Sequence, residues 1–330
     1  MAAAKFLRST SKPTKRSLVT RTFDRAFAAG VAALAMLVPL TLAGIAVLLL
    51  IDAWPALTAF GLSYFTTTVW DPVKLVFGAA AYVYGTIVTT IVAVALATPI
   101  AVGAAIYLTE FAPRSLRAPV AFVIELLAFI PSIIYGLWGI FVLVPLMRNN
   151  VEPALQGTIG HVPVIGQIFS GTPVGLDLLS GGVILAIMIL PILMAVSREV
   201  LLAVPPTQRE AMIGLGATRW EAVTRAVLPY ARPGIIGGAV LGVGRAFGET
   251  MAVTMVVGNS SRDITGSLFV PGYTMASAIA NQFVEADTEL YFSAVVEVAL
   301  VLLLVALVVN SIARLLIRRA VADRPAGAMI

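Results

Sequence analysis

Arg245 and Glu249 lie four residues apart in GRAFGETMAV (Gly244–Val253), inside a run that is otherwise apolar from Pro233 to Val257. That run, about 25 residues, is long enough to cross a bilayer. At ~1.5 Å rise per residue, Arg245 would lie ~18 Å from either end. A charge at that depth costs roughly 2.5–3.5 kcal/mol on insertion scales, so it must be compensated. One compensation is an ion pair at i, i+4 within the helix, with Arg before Glu in the weaker orientation. The other is an anion in a passage, whose oxygens the planar guanidinium fork can hold in pairs. Gly234, Gly238, Gly242, Arg245, Gly248, Glu249 and Ala252 fall along one helical stripe. Small residues there either admit a neighbouring helix or leave room for a path. Glu297, in a later apolar run, could join Arg245 and Glu249 in a charged cluster at similar depth. Glu125 reads as a packing or snorkelling carboxylate near the inner end of another run.

The elements that position these groups are membrane helices. Of 330 residues, 59% are hydrophobic and 12% charged, and mean hydropathy is +0.98. Soluble domains carry about 25% charged residues. Hydropathy gives six spans, at about 28–51, 79–107, 120–146, 181–204, 233–257 and 290–316. The first is too long for the 7–15-residue core of a cleaved signal peptide and reads as an uncleaved helix. Lys and Arg gather in the N-terminal tail, in 108–119, in 198–232 and at the C-terminal end. The opposite segments hold Lys74, Arg148 and Arg262. This asymmetry predicts cytoplasmic termini: a basic tail over 1–27, a six-helix body over 28–320 and a short tail over 321–330. The net charge of +5 is therefore topology information, and no nucleic-acid partner is implied. Cysteine is absent, which excludes disulfides and thiolate metal sites, and the single histidine, His161, reads as a polar loop residue. Pro99, Pro131 and Pro191 can kink or break their spans. Two outer segments, Asn149–Ser180 and Gly258–Glu289, are long enough to meet an extracytoplasmic partner.

The most organised polar stretch is PPTQREAMIGLGATRWEAVTRAVLPYARPG, Pro205–Gly234. Thr207 with Glu210, and Thr218 with Glu221, each have capping-box spacing. Gly214 and Gly216 suit a tight turn between two helices. Pro229 and Pro233 are expected to end the second helix before span five. Trp220, Val223 and Val227 share one face of that helix, so the hairpin could dock into a soluble partner.

Within it, Glu210, Ala211, Gly216, Leu228 and Pro229 match the E-A-A, three residues, G, nine residues, I-x-L-P pattern of the EAA loop in ABC-importer permeases. Met212 and Ala226 depart from the usual residues. Three further stretches, Phe129–Pro145, Gly181–Val200 and Leu241–Asn259, together with TEFAP (Thr109–Pro113), resemble the PstC family of phosphate ABC-transporter permeases. The resemblance covers most of residues 55–320. It implies an all-α, type I importer permease in the bacterial inner membrane, acting on inorganic phosphate. It also implies that Glu210, Ala211, Gly216, Trp220, Leu228 and Pro229 couple to an ATPase, and that Arg245 and Glu249 belong to a signature stretch on the substrate path. The implied partners are the homologous permease PstA, a PstB ATPase dimer, the phosphate-binding protein PstS and membrane lipid. No G-x-x-x-x-G-K-[ST] occurs, so ATP and Mg would be bound by the ATPase partner, and no cofactor is expected in this chain. From the residues alone, another oxyanion such as sulfate or molybdate, or an ion-coupled transporter using Glu249 and Glu297, stays open.

Overall fold

The computed structural model describes residues 18–163, 165–260 and 264–322, with side chains described from residue 26 to residue 315. The basic N-terminal tail before Leu18, Arg262 and the tail beyond residue 322 lie outside the described residues. The chain divides into two units, Met1–Ile51 and Asp52–Ile330. The first contains most of α1 (Leu18–Phe60), predominantly apolar from Ala26 onward.

The second unit is helical. Its long elements are α2 (Ala80–Ile106), α3 (Arg114–Leu127), α4 (Ser132–Thr158), α5 (Leu178–Leu202), α6 (Pro206–Gly214), α7 (Arg219–Phe247), α8 (Met251–Val256), α9 (Met275–Glu285) and α10 (Glu289–Ala322). Six helices in the described residues are long and apolar enough to cross a membrane. Several boundaries differ from expectation, and two of them bear on the charged residues. Span three begins at Ser132, because Pro131 and the turn before it separate α3 as an amphipathic helix. Glu125 is therefore not within a span; its half-exposed carboxylate lies 4.0 Å from Arg198. Span five ends at Phe247, ten residues before its apolar run does.

Helix α5 is the centre. Ala93, Ala97, Ala101 and Ala105 form a fully buried row along α2, in the same core as α5 residues Ile184, Leu185, Ile189 and Leu193. Close approach of backbones replaces water-driven burial as the cohesive principle here. On the other flank, Gly234, Gly238 and Gly242 face α5: a Cβ at each would lie 2.5, 3.0 and 3.4 Å from Val200, Val196 and Leu193 respectively. This part of the small-residue stripe is a helix contact and not a passage.

A second core gathers Tyr64, Phe77, Tyr82, Met275 and Tyr291 beneath a two-stranded hairpin, β1 (Trp70–Asp71) and β2 (Val76–Phe77), with Trp70 opposite Phe77. Trp70 donates to Gln282 at 2.8 Å, and the Ala56 amide donates to Ser293 at 3.0 Å. These bonds seat the hairpin against α9 and the end of α1 against α10.

The prolines act in an unexpected way. Wide turns with i→i+5 bonds occur at Tyr107–Phe111, Gly139–Leu143, Met147–Val151 and Val223–Val227. Each is followed two residues later by a proline: Pro113, Pro145, Pro153 and Pro229. A proline ring lacks the N–H and collides with the carbonyl four residues back. One extra residue in the preceding turn moves that carbonyl aside. At the last three sites the helix continues. Pro229 and Pro233 thus do not end the second loop helix; it runs directly into span five as α7.

Candidate functional site

The polar loop folds into a corner fixed mainly by backbone bonds. Helix α6 stops in a Schellman arrangement: the Ala217 amide reaches Met212 O at 3.1 Å and the Gly216 amide reaches Ile213 O at 2.9 Å. This requires a left-handed residue, and Gly216 has φ +88°. Two residues later α7 starts with a complete capping box. Thr218 Oγ1 accepts from the Glu221 amide at 3.3 Å, and Glu221 Oε2 accepts from the Thr218 amide at 2.9 Å. The other expected box does not form. Pro205 occupies the N-cap of α6, and Thr207 lies inside its first turn.

Arg209 anchors this corner, a role its sequence position did not reveal. Its guanidinium makes a forked pair with Glu110, with Nε–Oε1 at 3.0 Å and Nη2–Oε1 at 2.7 Å. It also donates to Val204 O at 2.8 Å and to Leu201 O at 2.9 Å, the latter shared with the Val204 amide at 3.3 Å, carbonyls at the end of α5. One side chain thereby joins α6 to the ends of α2 and α5. Val223 and Val227 are buried beneath the corner, whereas Trp220 is 60% exposed. The expected common face is split, with two residues packed inward and one presented. Leu215 and Ile213 are also exposed, as are Glu210, Ala211 and Pro229, while Leu228 is half-buried. The corner displays an apolar tip beside a carboxylate, the chemistry of a docking knob.

At the other end of α7 the chain breaks. Gly248 closes the helix, and Glu249 precedes α8 with its Oε1 accepting from the Ala252 amide at 3.4 Å. A carboxylate at a helix N-terminus satisfies an orphan amide and meets the positive end of the dipole. Arg245 and Glu249 are thus not on one continuous helix, and no ion pair joins them among the described residues. Glu249 is nearly buried, whereas Arg245 is exposed in the last turn of α7, close enough to Tyr135 to act on it electrostatically. Leu241, Gly244, Arg245 and Gly248 form an exposed stripe opposite the glycines that pack on α5. This face holds a cation that has no ion-pair partner among the described residues.

Glu297 does not join that pair in the described contacts. It is fully buried in α10, electrostatically coupled to Tyr64 of the aromatic core, and neither carboxylate oxygen has a hydrogen-bond partner among the described residues. A second acidic feature had no sequence signal. Glu152 and Asp177, 25 positions apart, are both fully buried and close enough to act on each other electrostatically, each with one carboxylate oxygen that has no hydrogen-bond partner among the described residues. Glu152 accepts from the Gly175 amide at 3.2 Å, and Asp177 caps α5 through the Ser180 amide at 2.8 Å. Burial pushes the Asp177 carboxyl above the usual aspartate range, against the pull of its amide donors. His161 lies exposed in a turn. No group of three or more metal-ligating side chains occurs among the described residues.

Residues 86–321 match the family model of the binding-protein-dependent transport system inner membrane component. The chain is 45% identical to the phosphate transport system permease protein PstC of Mesorhizobium japonicum, over 90% of each chain. It is 46% identical to that of Xylella fastidiosa (strain 9a5c), over 94% of this chain and 96% of that one. A probable phosphate transport system permease protein PstC of Methanocaldococcus jannaschii is 41% identical over 79% and 83%. Among solved structures, a chain of a bacterial alginate ABC transporter superposes with a TM-score of 0.57 at 18% identity, over 89% of this chain and 96% of that one. This last likeness concerns the fold, a six-span, all-α permease of type I architecture.

Proposed function

Because this chain belongs to the family of binding-protein-dependent transport system inner membrane components, we propose that it serves as one permease subunit of an ATP-driven importer of inorganic phosphate. It is a multi-pass inner-membrane protein and an ABC-transporter permease, and it works with a binding protein and an ATPase as its family does. The observation that carries the substrate is the end-to-end likeness to phosphate permeases from both bacteria and an archaeon. The exposed stripe on α7 supports it: an unpaired guanidinium fork suits an oxyanion, and a facing permease would close the other half of the path. In this reading the facing subunit is of the PstA type, a pair of PstB-type ATPases binds ATP and Mg and engages the corner at Gly216, and a PstS-type protein delivers phosphate from outside. Both termini lie in the cytoplasm. The ion-coupled alternative is not favoured, since the relatives are ABC-transporter permeases, and Glu249 accepts from the Ala252 amide at the start of α8.

The test is reconstitution. The chain with its partner permease, ATPase and binding protein should take up labelled phosphate in an ATP-dependent manner. Sulfate or molybdate taken up in place of phosphate overturns the substrate assignment, and uptake by the chain alone under a proton gradient overturns the class.

A further inference from the structure

A cleft of about 650 Å³ opens beside the corner, between α6, the start of α7 and the ends of α2 and α5. Arg114, Arg117, Arg209 and Arg219 converge on it, with Glu110 as the only carboxylate in its lining. That carboxylate is fully engaged by Arg209. Arg117 directs its Nε to Ala112 O at 3.0 Å. Arg114 and Arg219 are exposed and make no hydrogen bond or ion pair among the described residues. Guanidinium groups gathered without a counter-charge repel one another, and an anion with several oxygens relieves this.

We propose that the cleft binds the phosphodiester headgroup of an anionic phospholipid between Arg114 and Arg219. Three observations favour a lipid over an acidic protein side chain. The cleft is bounded by Glu110 and Leu202, in the last turns of two helices long and apolar enough to cross a membrane, the level at which headgroups are expected. Helix α3, which supplies Arg114 and Arg117, is amphipathic and presents Phe122, Val123 and Leu126 to the outside, a surface on which acyl chains can lie. Part of the lining is itself apolar, from Leu202 and Ile213, as the glycerol region requires. Basic pockets between spans on the positive side of a membrane are suited to such headgroups. A bound lipid ties α3 to the first turn of α7 and so stiffens the corner. This site is independent of which solute the importer carries.

The purified complex of this chain with its partner subunits is incubated with equal amounts of dioctanoyl phosphatidylglycerol and dioctanoyl phosphatidylcholine, and retained lipid is read by native mass spectrometry. The wild type should retain phosphatidylglycerol in preference. Arg114→Gln with Arg219→Gln should weaken retention roughly 10- to 30-fold, from the loss of two basic contacts at the membrane surface. Arg148→Gln, remote from the cleft, should change nothing. Equal retention of the two lipids by the wild type, or undiminished phosphatidylglycerol on the double variant, overturns the proposal. Displacement of the lipid by millimolar inorganic phosphate reassigns the cleft to the free anion. Loss of the ATPase from the double variant in lipid-free detergent, with lipid retention intact, reassigns the arginines to a protein contact.

Discussion

The two ends of α7 handle charge in opposite ways. At the corner, Arg209 is spent within the chain on Glu110 and two carbonyls, and the turn is closed by a Schellman arrangement and a capping box. At the far end, Arg245 is exposed, its neighbour Glu249 is turned away to cap α8, and the helix stops. A fully paired cation builds a rigid joint, because removing either partner leaves the other uncompensated. A cation without an ion-pair partner among the described residues, in the last turn of a membrane-spanning helix, is costly unless something outside the chain completes it. The first arrangement suits transmission of a movement, and the second suits contact with a charged solute.

The largest effect should come from breaking the open end. Arg245→Gln with Glu249→Gln should leave assembly with the ATPase unchanged and lower phosphate uptake by two orders of magnitude or more. Arg245→Lys keeps the charge but loses the fork, and should cost about tenfold. Near-normal uptake in the double variant, measured with labelled phosphate in vesicles, would assign both groups to structure.

Breaking the closed end should be next. Arg209→Ala leaves the Glu110 carboxylate and the Val204 carbonyl without their Arg209 donor and Leu201 O with backbone donors alone, a loss of about 2–3 kcal/mol at this partly exposed site. The expected phenotype is ATP hydrolysis that no longer responds to substrate-loaded binding protein, with uptake reduced 10- to 100-fold. The exchange of Glu110→Arg with Arg209→Glu should recover the ion pair but not the carbonyl contacts, and so restore only part. Full coupling in Arg209→Ala would show that the corner holds without its anchor.

Gly216 refines the same joint. Nothing lies within 4 Å of a Cβ built there, so any penalty comes from φ alone. Gly216→Val should cost roughly 1–3 kcal/mol and detach or uncouple the ATPase. Gly216→Asn, tolerant of the left-handed region, should stay close to wild type. Equal damage from the two would point to a contact with the ATPase and away from backbone geometry.

The smallest effect concerns the buried acid pair. Asp177 holds its proton more tightly in the folded chain than in the unfolded one, so the stability it contributes is present below the ordinary aspartate range. That contribution is lost as pH rises through the raised folded value. Resistance of the 159–177 segment to proteolysis should therefore fall with rising pH. Asp177→Asn, which keeps an acceptor for the Ser180 amide, should flatten that dependence.

Much of this was legible because hydropathy and capping chemistry are local signals. Six apolar runs gave six spans, Thr218 with Glu221 gave the start of α7, and Gly216 gave the left-handed turn. What stayed hidden was mostly non-local. Glu110 and Arg209 are 99 positions apart, and Glu152 and Asp177 meet only after α4 and α5 are placed. The break after Phe247 was masked because Gly248 and Thr250 are tolerated in membrane helices and leave an apolar run uninterrupted. Proline misled at Pro229, since a wide turn two residues earlier lets the helix pass through it. Hydropathy merged α3 with span three because its exposed apolar face reads like a membrane segment, and Pro131 was the signal of the boundary.

The continuity of α7 from Arg219 to Phe247 has a mechanical meaning. From Arg219 to Arg245 the rod is ~39 Å long at ~1.5 Å per residue. A tilt of only ~5° about the corner sweeps its far end sideways by ~3 Å, about the length of one hydrogen bond. The interlock of Gly234, Gly238 and Gly242 with α5 means that the two helices swing together. Leverage alone, with no relay of side chains along the way, is then enough to carry a small rotation at the corner to the guanidinium at the other end of the helix.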